Sequence, residues 1–259
     1  MGELKIYISV DFEGAACVVG QAGKFLSETP LYQETQRIVT AEANAAVEGC
    51  LDAGATEVIV DDAHDGGICM LHEEIHPEAK ILLGAPRPRR FLGLDESFAG
   101  MMLVAYHPMA GVMNGVLSHS YSSAGVQRMW LNGREIGEMG FDAACAGTFG
   151  VPVILVSSCV EGCREARDFL GDIETVTTKW GLSRNAAISL SPAKAREHIK
   201  AGARRACERL GEFEPFTLDS PYEKKVEYKL ESHIDANRGG ERVGPRTYVT
   251  RSDNLFDLI

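Results

Sequence analysis

The sequence predicts an α/β fold: a mainly parallel sheet with helices on both faces, an inserted β-hairpin, and a smaller C-terminal α+β lobe. Three observations carry that prediction. Short apolar runs alternate with stretches of helical periodicity, an Asn-Gly dipeptide separates two strand-like runs at residues 132 and 133, and the composition shifts after Pro215.

The first run, residues 4–10, is rich in Ile, Val and Tyr and ends in Asp-Phe-Glu-Gly, so it reads as a strand entering a loop. Residues 32–53 place Ile38, Ala41 and Ala45 beside Val39, Ala46 and Cys50 at helical spacing, and Gly54 is a natural stop. Glu57 to Val60 is the second strand, and a helix crossing over between two strands implies that they pair in parallel. Further strands are expected at residues 101–106 and 153–157, with a helix over 139–149 between them. The hairpin takes residues 128–131 and 135–136 around Asn132-Gly133, a pair that favours a type I′ turn. Helices over 163–170 and 192–210 follow, the second with Ser191 as N-cap, Pro192 at its first position and Gly211 at its end. Residues 224–230 and 246–251 alternate like strands across a Gly-rich turn. The expected division is an α/β unit over 1–210 and a small lobe over 211–259 packed on the same unit.

Bulk properties exclude several function classes. A chain of 259 residues, 45% hydrophobic and 24% charged, can bury a sizeable core without covalent staples. Its formal charge of −11, with Lys and Arg scattered, lacks the basic footprint that nucleic acid requires. The apolar run before Asp11 is too short for a signal-peptide core or a membrane span, so neither export nor a membrane is expected. Seven cysteines, an odd number without a CxxC pair, fit reduced thiols in the cytoplasm. Cys159 and Cys163, four apart, could pair or bind metal, but no second pair supports a metal site.

Candidate chemistry collects after the strands. Asp11 and Glu13, His64, and His107 each follow a predicted strand, and in an α/β sheet ligands gather in the crevice at the carboxyl ends of strands. In an extended chain Asp11 and Glu13 point to the same side about 6 to 7 Å apart, so two carboxylates can share a pair of cations. Carboxylates with imidazoles suit zinc or a similar divalent ion. Each segment also has a plain structural reading. Asp11 can cap a helix, Asp61-Asp62-Ala63-His64-Asp65 can be a solvated turn, and His107 can be satisfied by backbone. Were His64 a ligand, Asp61 or Asp62 could orient its ring. Ser118-His119-Ser120 could set an imidazole between two hydroxyls for acid/base work, and Glu138 opens a helix, where a carboxylate also serves as a dipole partner.

One motif points elsewhere and is set aside. His72-Glu73-Glu74-Ile75-His76 matches the H-E-x-x-H zinc-protease signature, but Pro77 biases His76 away from helical geometry, so the helix would end at its second ligand. No GxSxG, P-loop or GxGxxG is present.

Taken as a set, Ser9-Val10-Asp11-Phe12-Glu13-Gly14, Asp62-Ala63-His64, Ala105-Tyr106-His107, Leu117-Ser118-His119-Ser120 and the stretch from Asn132 to Gly140 resemble the D-aminopeptidase family of zinc peptidases, the DppA type. The resemblance covers roughly residues 5–200 well and the C-terminal lobe loosely. It implies a site of two zinc ions on Asp11, Glu13, His64, His107 and Glu138, with His119 as the catalytic histidine. It also implies a ring-shaped homodecamer and action on short peptides with N-terminal D-residues, D-alanine above all. Two rivals remain at this point: a metal-dependent amidohydrolase for an L-peptide or non-peptide amide, and a non-catalytic peptide- or metal-binding oligomer.

Overall fold

The computed structural model describes residues 2–235 and 239–259. Strand β1 (Lys5–Val10) is buried at every position after Lys5, as a strand covered on both faces must be. Helix α1 (Tyr32–Asp52) follows and is stopped by Gly54, whose φ of 92° is open to glycine at no steric cost. The chain continues through β2 (Glu57–Asp62), the short β3 (Ala79–Leu82) and β4 (Gly100–Val104). A hairpin of β5 (Val126–Leu131) and β6 (Arg134–Glu135) comes next, and Asn132 and Gly133 both have positive φ, as its predicted I′ turn needs. Then come α2 (Glu138–Gly147), β7 (Val153–Cys159), α3 (Val160–Leu170), β8 (Glu174–Ser183), β9 (Ala186–Ser189) and α4 (Pro192–Glu208). Ser191 caps α4 by accepting the Lys194 N–H, with Pro192 at its first position.

Seven strands form one sheet in the order β3-β2-β1-β4-β7-β8-β9, parallel throughout except for β9. The connection from β1 to β2 runs one way along the sheet and those from β4 to β7 to β8 run the other. Right-handed crossovers taken in opposite directions put α1 and α3 on opposite faces, so helices cover both. Helix α4 packs beside α1, and α2 beside α3. Chain direction therefore reverses between β1 and β4, which opens a crevice at their carboxyl ends.

A second sheet, antiparallel, has the order β11-β12-β10-β5-β6, where β10 is Tyr222–Tyr228, β11 Glu241–Arg242 and β12 Thr247–Ser252. Here the inserted hairpin and the C-terminal strands join: β10 pairs with β5 from Lys224 opposite Leu131 to Tyr228 opposite Val126. A lone hairpin is marginal in water, and this pairing supplies the further strands it needs. All seven cysteines are free, six of them buried and Cys17 exposed. Among the described residues no helix is long and apolar enough to cross a membrane.

Candidate active site

The crevice between β1 and β4 is where the candidate side chains meet. Asp11 follows β1 directly, and its N–H donates to the Val104 carbonyl at the end of β4 (2.9 Å). Gly14 donates to Ala105 (2.7 Å), so the loop after β1 lies flat against the end of β4. A side chain at Gly14 would collide with the backbone carbonyls of Tyr106 and Ala105, which is why the Asp-Phe-Glu run closes on glycine. Ala63, after β2, donates to Val10 (3.0 Å) and sets His64 beside Asp11.

Six side chains then converge. His64 Nδ1 is 3.0 Å from Asp11 Oδ1 and 3.4 Å from Glu13 Oε2. His107 Nε2 is 3.4 Å from Asp11 Oδ2 and 3.2 Å from Glu138 Oε1. His119 Nε2 is 3.8 Å from Glu138 Oε1, and its ring stacks on that of His107. Asp11, Glu13 and His107 each bring a donor atom within 4.8 Å of the others, as do His107, His119 and Glu138. All five positions read from the sequence as candidate ligands, together with His119, thus share one crevice.

Backbone contacts fix which ring nitrogens are available. His107 Nδ1 is 3.0 Å from the Pro108 carbonyl and His119 Nδ1 is 2.7 Å from that of Leu117. A carbonyl only accepts, so both Nδ1 atoms carry hydrogen and both Nε2 atoms face the carboxylates with a lone pair when the ring is neutral. Of the hydroxyls flanking His119, that of Ser120 is buried and accepts the Ala110 N–H (3.2 Å). Asp65, Ala105 and Leu117 have φ of 45°, 59° and 53°, and each lies within two residues of a site histidine. Non-glycine residues held there cluster at functional sites.

The electrostatics follow from packing three carboxylates and three imidazoles out of water. Burial, with Glu13 beside it, raises the Asp11 carboxyl to about 7. Burial also pushes on Glu13, but the imidazoles of His64, His119 and His107 outweigh it and hold Glu13 well below the usual range. Against burial, Glu138 and Asp11 raise His107 to about 10, and Glu13 and Asp11 raise His64 well above its ordinary value. His119 goes the other way, lowered by burial and by its neighbour His107.

The donor set fits a divalent metal on an independent ground. Asp11 Oδ2 and Glu13 Oε2 are buried oxygens that no hydrogen bond satisfies, a costly arrangement unless a cation completes it. Carboxylate oxygen with imidazole nitrogen is a set that zinc accepts. The sequence's other candidate does not form such a centre. His72 to Glu74 make a single 3-10 turn, His72 points at Asp62 (3.3 Å), and His76 Nδ1 accepts the Glu78 N–H.

A supporting shell escaped the sequence reading. Lys179, on β8 and fully buried, donates to the carbonyls of Glu13, Ala15 and Val18, clamping the loop that carries Glu13. Thr178 Oγ1 donates to Gly14 O (2.6 Å), and Glu42 accepts the Ala16 N–H (2.9 Å). Arg90 forks onto Asp142 with two bonds of 2.6 Å, and Tyr106 links Asp142 to Ser9. That chain ties β1, the segment after β4 and α2, next to Asp11, His107 and Glu138 respectively. Asp61 and Asp62, expected as partners of His64, are engaged elsewhere. Asp61 holds Arg87 and Tyr7, and Asp62 accepts from the N–H groups of Cys69 and Met70. It is Asp65 that approaches the far nitrogen of His64, at 3.5 Å.

A parallel sheet whose reversal point gathers buried carboxylates and imidazoles defines an α/β protein with a candidate metal centre at the switch point of its sheet. Comparison with known proteins narrows this: the chain belongs to the D-aminopeptidase family of peptidases, whose family model matches residues 4–259. A curated D-aminopeptidase of Bacillus subtilis (strain 168) is 36% identical over 194 residues, 74% of this chain and 69% of that protein. The solved structure of the Zn-dependent D-aminopeptidase DppA from Bacillus subtilis, a self-compartmentalizing protease, matches with a TM-score of 0.89. It is 29% identical, and the match covers 98% of this chain and 93% of the other.

Proposed function

We propose that this chain is a zinc-dependent aminopeptidase that hydrolyses short peptides, with N-terminal D-residues such as D-alanine as its substrates. Asp11, Glu13, His64, His107 and Glu138 would hold two metal ions, and His119 is the catalytic histidine. The observation that carries this reading is the pair of orphaned buried oxygens, Asp11 Oδ2 and Glu13 Oε2, facing three imidazoles in one crevice. Zinc bound there supplies an activated water and draws charge from the scissile carbonyl.

The chain's own residues supply the rest. His119 holds its Nδ1 proton on Leu117 O, so Nε2 is the atom free to take a proton from the attacking water and pass it to the leaving amine. Burial and the neighbouring His107 lower its proton affinity below that of an ordinary imidazole. The stacked His107 and the Leu117 carbonyl fix the ring so that Nε2 faces the reacting centre.

Assembly into a closed homo-oligomer, a decamer in this reading, is supported by the self-compartmentalizing relative. Free thiols throughout support a cytoplasmic setting. Metal analysis of the purified protein, with a panel of D- and L-dipeptides, tests the whole. Two zinc ions per chain and turnover of D-Ala peptides are expected, and Asp11→Ala should lose metal. Turnover of L-peptides alone would move the assignment to a different amidohydrolase. Metal binding without release of any free amine would leave a binding protein.

A further inference from the structure

The pocket above the site has an uneven distribution of charge. It encloses about 530 Å³, its acidic side formed by Asp11, Glu13 and Glu138, and its wall carries three cations, Lys24, Arg90 and Arg184. Arg90 is committed to Asp142. Lys24 and Arg184 are exposed, and among the described residues neither makes an ion pair. Arg184 is nonetheless placed. Its backbone carbonyl accepts the Leu117 N–H (2.8 Å) and its Nε approaches Ser118 O (3.4 Å), so it sits on the wall that carries His119. Nε is thereby occupied, which leaves the two terminal nitrogens of the guanidinium for a ligand.

We propose that Lys24 and Arg184 bind the α-carboxylate of the substrate and are the residues by which this site favours a free C-terminus over a blocked one. The inference rests on the peptidase reading above. When a dipeptide is cut, the carboxylate carbon lies two bonds from the scissile nitrogen, and in a tripeptide it lies about 3.5 Å further on. An aminopeptidase acting on such peptides must therefore receive an anion inside the same pocket as its carboxylate-rich centre. With two metal ions on the three carboxylates the centre itself does not repel that anion, and the cations of the pocket lining are placed to receive and orient it. A guanidinium fork and a flexible ammonium lining one pocket suit that role, the fork bidentately and the lysine with reach enough for either peptide length. Longer peptides and blocked C-termini carry no carboxylate at that point and gain nothing from the pair.

The test compares D-Ala-D-Ala with its C-terminal amide, in the zinc-loaded wild type and in the double variant Lys24→Gln/Arg184→Gln, with metal content measured in both. The wild type is expected to favour the free acid in kcat/KM. In the double variant the ratio of acid to amide should fall about tenfold, mostly through KM for the acid, and Arg184→Lys with Lys24 intact should keep most of it. Raising ionic strength should lower the ratio in the wild type more than in the variant. An acid-to-amide ratio unchanged by the double substitution overturns the proposal. D-alanine p-nitroanilide, which has no carboxylate, reports on the peptidase reading alone. Its hydrolysis with an unchanged ratio leaves that reading standing and removes only this inference, whereas no hydrolysis of any of the three removes both.

Discussion

The imidazole of His119 lies face to face on that of His107, with ring centroids 3.8 Å apart and planes 14° from parallel. The two rings have the same tautomer, set by the same device of a backbone carbonyl on Nδ1, yet their proton affinities diverge. His107 touches Asp11 and Glu138 and is raised, whereas His119 touches Glu138 only at 3.8 Å and is lowered. The divergence fits the proposed roles, His107 as ligand and His119 as proton carrier. His119→Ala should therefore keep its full metal content and lose turnover by about 10²- to 10³-fold, the scale of one acid/base group. Elemental analysis beside kcat measurement checks it, and loss of metal in this variant would make His119 a ligand instead.

Metal uptake should release protons. In the metal-free protein His64 and His107 are raised, the latter to about 10, so at pH 7 both rings are protonated and stand against Asp11, Glu13 and Glu138. A ligating nitrogen needs its lone pair and the Asp11 carboxyl, raised to about 7, must also ionise, so binding must expel about two to three protons, and affinity must fall as pH is lowered. Calorimetry in two buffers of different ionisation enthalpy reads the number directly. The same shifts give a sign for stability. A histidine raised in the folded state contributes fully below its unfolded value near 6.5, and that contribution is lost as pH rises toward about 10 for His107. Metal-free protein should thus lose stability across that window. Flat stability there would show that the rings are not paired with the carboxylates.

The close approach of Gly14 to β4 predicts a disproportionate effect from one methyl group. Its φ is unremarkable, so the cost is purely one of space: a Cβ would overlap the carbonyl groups of Tyr106 and Ala105. Those residues immediately precede His107, and Gly14 immediately follows Glu13. Gly14→Ala must push the two halves of the site apart, so metal affinity should fall at least tenfold even if the fold survives. Equilibrium dialysis measures the affinity and circular dichroism the fold. Wild-type affinity would mean that the loop shifts without moving Glu13.

How much of this was legible beforehand depended on the kind of signal each part left. Strands β1, β2, β4 and β7 read plainly because a parallel strand buried on both faces is a continuous apolar run. Strand β8, ETVTTKWGLS, mixes Thr and Lys with few apolar residues, and β3 is four residues long, so neither stood out. The partner of the hairpin was invisible, since nothing in residues 126–135 specifies a strand ninety positions later. Asp11, Glu13, His64, His107 and Glu138 were legible because each follows a strand end or opens a helix, places where topology brings distant segments together. His119, by contrast, lies within the long loop between β4 and β5 and was singled out by the family resemblance. Lys179, Glu42, Arg90 and Asp142 gave no such sign. They are single polar residues whose partners are chosen by tertiary packing, and the choice of Asp65 over Asp61 or Asp62 beside His64 was settled by the bend after β2 in the same way.

Lys179 offers the sharpest test of that supporting shell. It is fully buried in β8, and its ammonium donates to three carbonyls of the loop after β1, one of them the carbonyl of Glu13. Burial lowers its pKa to about 8, so the charged form is held at some expense, and the three bonds are what offsets it. Lys179→Met has similar length and removes the charge, which by itself relieves the fold. It also leaves the carbonyls of Glu13 and Val18 unpaired at about 1–3 kcal/mol each, while that of Ala15 keeps the Val18 N–H. The second effect is the larger, so a net loss of about 2–4 kcal/mol is expected in urea denaturation of the metal-loaded protein. Metal affinity should fall with it, because the freed loop no longer presents Glu13 in one place. A variant that unfolds at the wild-type midpoint and keeps its zinc would show that the contacts with β4 hold the loop without help from β8.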